Sequence, residues 1–462
     1  MGLSRLASLG GSLLFGLHPA QTEVISYVSA RSESLAALFY LSSMALYLRS
    51  RSSSLSPSPL SGLSSGLSSG YSSGLTRHGW IIFAGSLLTF TAALLSKAVS
   101  LTLPAMLLLH DFYRCDRNDD RNPVLSRMFW HLPFWLAAAA YILLYRTILS
   151  QAGQGLFSLR DPISQLATQA KAVAHYLKLA TLPVSMSVHP QFAESPEIAA
   201  GPPLAALLMA GSLIALAIGL RRRQPLVFFG TTWFFVALIP ILSIPLNILV
   251  NDHRIYLALF GPVLAVASLT DQLPRRWLLL VMVMAGLFAA IAIQRDAVWR
   301  NERSLWEDAA ARGPQMPEAH YNLAYAQHRE GDLAGAEMSY ERAIELNPTY
   351  ARAHINLGAI YREKGEWHQA LGAFRRALAV TPRSVEALNN VGLLYADHND
   401  FDRAVEVYEQ ALTIDAEVAE LWLNLGLAYR GKGLLENAFQ CLSKAVRLDP
   451  EIGARYPPGG NM

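Results

Sequence analysis

The sequence predicts an all-α chain in two parts: a polytopic α-helical membrane domain over residues 1–294 and an α-solenoid of helix pairs over residues 317–452. Three observations predict it. Of 462 residues, 52% are hydrophobic and only 16% charged, and the mean hydropathy is +0.25, too apolar for a soluble protein of ordinary make-up. Residues 1–294 hold 20 Lys+Arg and 11 Asp+Glu, whereas residues 295–462 hold 18 and 24. A strict 34-residue period is confined to the second part. This excludes a plain cytosolic enzyme, and no basic cluster of the kind that binds nucleic acid is present. Cys115 and Cys441, one in each part, have neither a disulfide nor a zinc spacing. The seven scattered histidines of the first part suggest no metal site, and no cofactor is expected.

Along the chain, Leu6 to Leu17 is apolar for 12 residues before His18-Pro19, short of the ~20 a spanning helix needs. A signal peptide is the bland alternative, but no small-x-small site ends the run. Further apolar runs follow at Ser34–Leu48, Trp80–Leu95, Val99–Leu109, Phe129–Leu149, Leu166–Val188, Pro203–Leu220, Pro225–Ile244, Ile255–Leu269 and Trp277–Ile293. Several are short, as where membrane helices break around a site. Arg49, Arg51 and Arg77 flank one loop, Arg114, Arg117, Arg121 and Arg127 a second, Arg221–Arg223 a third, and Arg275 with Arg276 a fourth. The positive-inside rule makes these loops cytoplasmic. Residues 18–33, the Lys97 turn, residues 150–202, residues 245–254 and everything after Ile293 then face outward. That parity requires Leu166–Val188 to start and finish outside, as a re-entrant or interfacial helix, with Lys171, His175 and Lys178 on one side of it. The loop over residues 50–76 has 13 serines in 27 residues and reads as a disordered linker.

In the second part Pro348, Pro382, Ala416 and Pro450 are 34 residues apart, as are Ala336, Ala370, Ala404 and Ala438, and Ala343, Ala377, Ala411 and Ala445. That period identifies four tetratricopeptide repeats, preceded by a connector (295–316) and followed by a disordered tail (453–462). Small residues at Ala324, Gly358, Gly392 and Gly426 let the helices approach, and Tyr340, Phe374, Tyr408 and Leu442 are expected to fill the space between successive pairs. Such an array leaves a concave face for a partner segment. Asn322, Asn356, Asn390 and Asn424 share one register. As a ladder of amides they would pair with an extended peptide's backbone irrespective of its side chains, an arrangement similar to the asparagine ladder of the O-linked N-acetylglucosamine transferases. The alternative is that each amide satisfies a neighbouring group of the array.

The first outward segment reads Leu17-His18-Pro19-Ala20-Gln21-Thr22-Glu23, then Tyr27, then Ala30-Arg31-Ser32-Glu33-Ser34-Leu35. Ionisable groups at a membrane boundary mark a candidate site. With Leu95-Ser96-Lys97, Leu101-Thr102-Leu103-Pro104-Ala105, Asp252-His253-Arg254-Ile255-Tyr256-Leu257, and Trp299-Arg300-Asn301-Glu302 with Leu305-Trp306, the chain resembles the transmembrane and tetratricopeptide-repeat containing O-mannosyltransferase-like family over most of residues 13–452.

The resemblance implies a GT-C type membrane glycosyltransferase that moves a sugar, mannose by the family's suggestion, from a polyprenyl-phosphate carrier to a protein hydroxyl on the non-cytoplasmic side. Lys97 and Arg254 are expected to hold the carrier phosphate, Arg254 as a fork and Lys97 as a point charge; snorkelling to the headgroups is the alternative for each. His18, Glu23, Arg31, Asp252, His253 and Tyr256 are expected to shape the pocket, with Asp252 orienting Arg254. Two departures weaken the likeness. Ala98 stands where the family usually has Glu after Ser-Lys, and no Asp or Glu precedes Glu23, so the acidic loop that would supply the base is expected to be missing, either because Met1 is a wrong start and the chain is N-terminally truncated or because the protein is shortened and has lost catalysis. Glu23 and Asp252 are weak substitutes. A non-catalytic membrane scaffold, whose repeats bind a partner protein, is therefore the competing expectation. A transporter is disfavoured, because the first part shows no internal repeat.

Overall fold

The computed structural model describes residues 3–21, 31–52, 77–115, 124–151, 161–184, 186–188, 190–192, 194–199, 201–243 and 250–455. All regular structure among the described residues is helical. The chain divides into two compact units, Met1–Arg300 and Asn301–Met462.

The first unit contains α1 (Arg5–Leu17), α2 (Arg31–Ser52), α3 (Arg77–Ser96), α4 (Leu103–Cys115), α5 (Val124–Gln151), α6 (Pro162–Thr181), α7 (Gly201–Leu220), α8 (Pro225–Ser243), α9 (Phe260–Asp271) and α10 (Leu278–Val298). Among the described residues α3, α7 and α10 are long and apolar enough to cross a membrane; α1, Ala98–Phe112, Pro225–Pro240 and α9 are apolar but shorter. Apolar side chains also cover the outside of these helices, as Leu88, Leu208, Leu216, Leu279 and Leu287 do. The inside is a core around Tyr40, Phe90, Phe134, Tyr176, Phe229 and Trp233.

Small residues let the helices touch through their backbones. Ser43 and Ser86, both fully buried, each donate a hydroxyl to the other's carbonyl at 2.7 Å, which ties α2 to α3. Gly230 of α8 and Gly261 of α9 lie so close that a Cβ on either would run into the other's carbonyl oxygen.

Two breaks position the polar residues. After α3, Lys97 is extended (φ −161°, ψ 141°) and caps a 3-10 turn at Ala98–Thr102, from which α4 starts with Pro104 in its first turn. After α8, Asn251 caps a second 3-10 turn, Asp252–Ile255, its side chain accepting from the His253 N–H.

The run Leu166–Val188 is not one helix. Asp161 caps the start of α6, accepting from the Ser164 N–H, with Pro162 in the first turn. The helix then stops at Thr181, because Pro183 excludes Leu182 from helical geometry (φ −135°, ψ 78°). Residues 53–76 of the serine-rich loop lie outside the described residues.

The second unit comprises α11 (Glu302–Arg312), α12 (Pro317–Arg329), α13 (Leu333–Leu346), α14 (Ala351–Glu363), α15 (Trp367–Val380), α16 (Val385–Asp397), α17 (Phe401–Ile414), α18 (Ala419–Gly431), α19 (Leu435–Leu448) and α20 (Pro450–Arg455). The expected connector is therefore itself largely helical. Asn301 caps α11 by accepting from the Ser304 N–H at 2.7 Å. Residues 453–455 of the expected tail are helical too, with Ile452 of the same helix buried; residues 456–462 lie outside the described residues.

The 34-residue period has three structural readouts. The turn inside each pair is left-handed at Gly331, Gly365, Asn399 (φ 58°) and Gly433, where glycine costs least. His320, His354 and Trp422 each reach back six residues with a ring nitrogen, to the carbonyls of Pro314, Pro348 and Ala416. The large side chains expected to fill the space between pairs also pack within a pair. A Cβ on Gly358 would meet the Phe374 ring, one on Gly392 the Tyr408 ring, and one on Gly426 would lie 3.0 Å from Leu442.

Candidate functional site

In the first unit, groups from four separate stretches of sequence meet in one polar cluster. Lys97 sets its ammonium 3.2 Å from Glu33 Oε1 and donates to Ser32 Oγ at 3.3 Å, both from the first turn of α2. The Lys97 side chain is 36% exposed while that of Glu33 is 7% exposed, so the cation is reachable and its partner is not. The carboxylate beside Lys97 thus comes from another helix.

Asp252 is fully buried, and both its oxygens are used. Oδ1 lies 2.8 Å from Nε2 of His175 on α6, and Oδ2 accepts from the Ser187 N–H at 2.9 Å. The Tyr176 hydroxyl bonds the Asn251 backbone and sits beside the Arg254 guanidinium.

His253 is in the middle. Burial pushes its imidazole down to about 4, and it feels the charges of Glu33, Arg254, Lys97 and Asp252. Lys97 and Arg254 therefore belong to one electrostatic cluster, balanced by two carboxylates around a neutral histidine. A cluster with two cations, one of them on a flexible lysine stem, is suited to receive an anionic group.

The other expected pocket residues are placed differently. His18 is buried beside Phe288 of α10, ring centroids 5.0 Å apart, and its Nδ1 accepts from the Ala20 N–H. Burial pushes it down to about 4, partly offset by the backbone carbonyls of Ala180 and Leu179 at the end of α6. It packs two helices together and bonds neither Lys97 nor Asp252. Tyr256 is half-buried and packs edge-on to Phe15 of α1 at 5.7 Å. Glu23 lies outside the described residues. Arg31 opens α2, but its side chain is outside them as well.

His175 and Glu33 are the site residues that sequence reasoning did not select. Their types and helical positions were visible; their partners, far away in sequence, were not. Among the described residues no group of three or more His, Cys, Asp or Glu side chains is arranged to hold a metal ion.

In the repeats the asparagine register is largely turned to internal use. Asn356 donates through Nδ2 to the hydroxyls of Tyr321 (3.1 Å) and Tyr340 (3.0 Å), so it joins one helix pair to the preceding one. Asn424 donates to Asn389 Oδ1 at 2.9 Å, again across a pair boundary. Asn390 donates to the Glu386 carbonyl in its own helix. Asn322 is half-buried in α12. Next to Asn356, Tyr321 packs at a tilt against Tyr350, ring centroids 5.0 Å apart, and Tyr325 is exposed, which gives this end of the array an aromatic surface.

Residues 315–383 and 349–417 match one family model described as tetratricopeptide repeat, and residues 392–451 match a second. No curated protein matches the chain. Similar solved structures include a thermophilic TPR protein of Thermus thermophilus, 27% identical over 37% of this chain and 92% of that one, with a TM-score of 0.31. Others are the MamA protein, 27% identical over 34% and 84% with a TM-score of 0.29, and MamA from Desulfovibrio magneticus, 19% identical over 35% and 87% with a TM-score of 0.30. Residues 315–451 are tetratricopeptide repeats, a fold that serves protein–protein interaction.

Proposed function

We propose that the chain is a multi-pass membrane glycosyltransferase of the GT-C type. In this reading it takes a sugar such as mannose from a polyprenyl-phosphate carrier and transfers it to a protein hydroxyl on the non-cytoplasmic side. The repeat array, on the same side, binds the acceptor or a partner protein. The observation that supports this is the convergence of Glu33, Lys97, His175 and residues 252–254 on one cluster. Lys97 and residues 252–254 lie at helix breaks between apolar helices, with Glu33 and His175 reaching them from α2 and α6, where a carrier with an apolar tail and a charged head would have both of its needs met.

Arg254 and Lys97 bind the carrier phosphate and stabilise the charge that grows on it as the sugar leaves. Glu33 holds Lys97 in place until the phosphate competes for it. Asp252 and His253 shape the pocket, with His18 and Tyr256 packed behind it, and Arg31 and Glu23 belong to the adjoining outward segment. Asn322, Asn356, Asn390 and Asn424 mark the face that takes an acceptor peptide.

Transfer of labelled mannose from polyprenyl-phosphate mannose to a threonine-rich peptide, by the full chain in lipid nanodiscs, tests the reading. Arg254→Ala abolishes transfer while the repeat helices keep their circular dichroism; unchanged transfer removes Arg254 from the phosphate site. A second reading, a membrane-anchored scaffold without catalysis, is favoured by the confinement of the family matches to residues 315–451. Failure of the wild-type chain to bind or use any polyprenyl-phosphate sugar would select it.

A further inference from the structure

We infer that His175, held by Asp252, is the group that takes the proton from the acceptor hydroxyl; the inference rests on the transferase reading above. Asp252 cannot do this itself. It is fully buried and its two oxygens are committed to His175 Nε2 and the Ser187 N–H. His175 is the outward member of the pair, with 20% of its side chain exposed.

A carboxylate on Nε2 fixes the proton there and leaves the lone pair on Nδ1, which makes no hydrogen bond to the described residues. The same carboxylate stabilises the imidazolium that forms when Nδ1 accepts a proton, the arrangement that makes a carboxylate–imidazole pair a better base than either group alone. The ring is steadied edge-on by Tyr176 (5.8 Å) and Phe192 (6.0 Å). His253, the other histidine nearby, is 8% exposed, and its burial opposes a positive charge on it.

The charged and titratable groups around His175 are Asp252, His253 and Arg254 from the turn and Lys171, Tyr176 and Lys178 from its own helix. Neither α7 nor α8 contains a charged residue or a histidine. Arg254 follows Asp252 by two residues and sits beside the hydroxyl of Tyr176, the residue after His175. The turn thus serves both ends of the reaction. The acceptor O–H gives its proton to Nδ1, its oxygen forms the new bond to the sugar C1, and the C1–O bond to phosphate breaks. The electron pair leaves on polyprenyl phosphate, held by Arg254 and Lys97, and the imidazolium afterwards releases its proton to water.

The test uses the full chain in lipid nanodiscs with polyprenyl-phosphate mannose as donor and a threonine-rich peptide as acceptor. His175→Gln keeps a side-chain N–H for Asp252 but has no basic nitrogen. His175→Gln and His175→Ala both lose about 100-fold or more in kcat, bind polyprenyl phosphate as the wild type does, and lose the acid-side fall of the pH–rate profile. Wild-type rate and profile in His175→Gln would overturn the inference and reduce His175 to a bridge between α6 and the turn. A wild-type chain that transfers no sugar, and whose polyprenyl phosphate binding ignores Lys97→Ala and Arg254→Ala, would overturn the transferase reading and this inference with it. Sugar transfer that depends on Arg254 but not on His175 overturns the inference alone.

Discussion

The two units are both helical, yet they assemble their polar contacts over different distances in sequence. In the repeats the ring of His354 reaches a carbonyl six residues back, and Asn356 reaches Tyr340 sixteen residues back and Tyr321 thirty-five back. All three spacings lie within about one repeat. In the first unit Lys97 reaches Ser32 across 65 residues and His175 reaches Asp252 across 77. A repeat array stabilises itself by local, additive contacts; a polar cluster between apolar helices exists only once distant segments have folded together. Damage to the repeats should therefore be graded and mechanical, whereas damage to the cluster should be all-or-none and chemical.

The largest expected effect is on the cluster. Arg254→Ala lowers kcat by about 100- to 1,000-fold, the range for removing one donor that stabilises developing negative charge, and leaves the thermal unfolding of the repeats unchanged. A matching loss of repeat stability would break the contrast between the units.

Acidification comes next. The His18 and His253 imidazoles are held at about 4 against an ordinary 6.5, so the unfolded chain binds more protons than the folded one between those values. The first unit is at full strength above pH 6.5 and weakens as pH falls toward 4, by up to about 3 kcal/mol for each histidine. Denaturant titrations at pH 7 and pH 5, followed by a probe in each unit, check this; equal losses in both would contradict it.

Gly392→Ala sets a methyl into the Tyr408 ring and lowers repeat stability by about 1–3 kcal/mol, without altering polyprenyl phosphate binding. Asn356→Ala removes two hydrogen bonds that join neighbouring pairs and costs about 1–2 kcal/mol. Asn390→Ala, whose amide bonds only its own helix, costs less. Replacing all four register asparagines with Ala weakens binding of a threonine-rich acceptor peptide and leaves carrier binding intact; unchanged peptide affinity would assign the register to internal bonding alone.

What could be read from the sequence follows from the same contrast. The repeat boundaries, the glycines and the aromatic residues were legible because a period displays its own packing rule four times. The contacts of Phe374 and Tyr408 with Gly358 and Gly392 inside their own pairs were not legible, because the period gives spacing but not the direction of a side chain. In the first unit the apolar runs located the helices, and the Pro183 stop was visible yet overridden by the continuing hydropathy of the run. Lys97 and Arg254 stood out as cations at helix ends. That Lys97 would meet Glu33, and that Asp252 would turn to His175 and the Ser187 N–H, depends on how the helices pack and leaves no local mark in the sequence.

The most direct measurement of the central claim is equilibrium binding of polyprenyl phosphate to the purified full chain in nanodiscs, compared with the Lys97→Ala/Arg254→Ala double variant at low and physiological salt. The account predicts saturable binding that falls at least about tenfold in the variant while the repeats unfold at the same temperature. Equal affinity of the two proteins, or no saturable binding by the wild type, would contradict it.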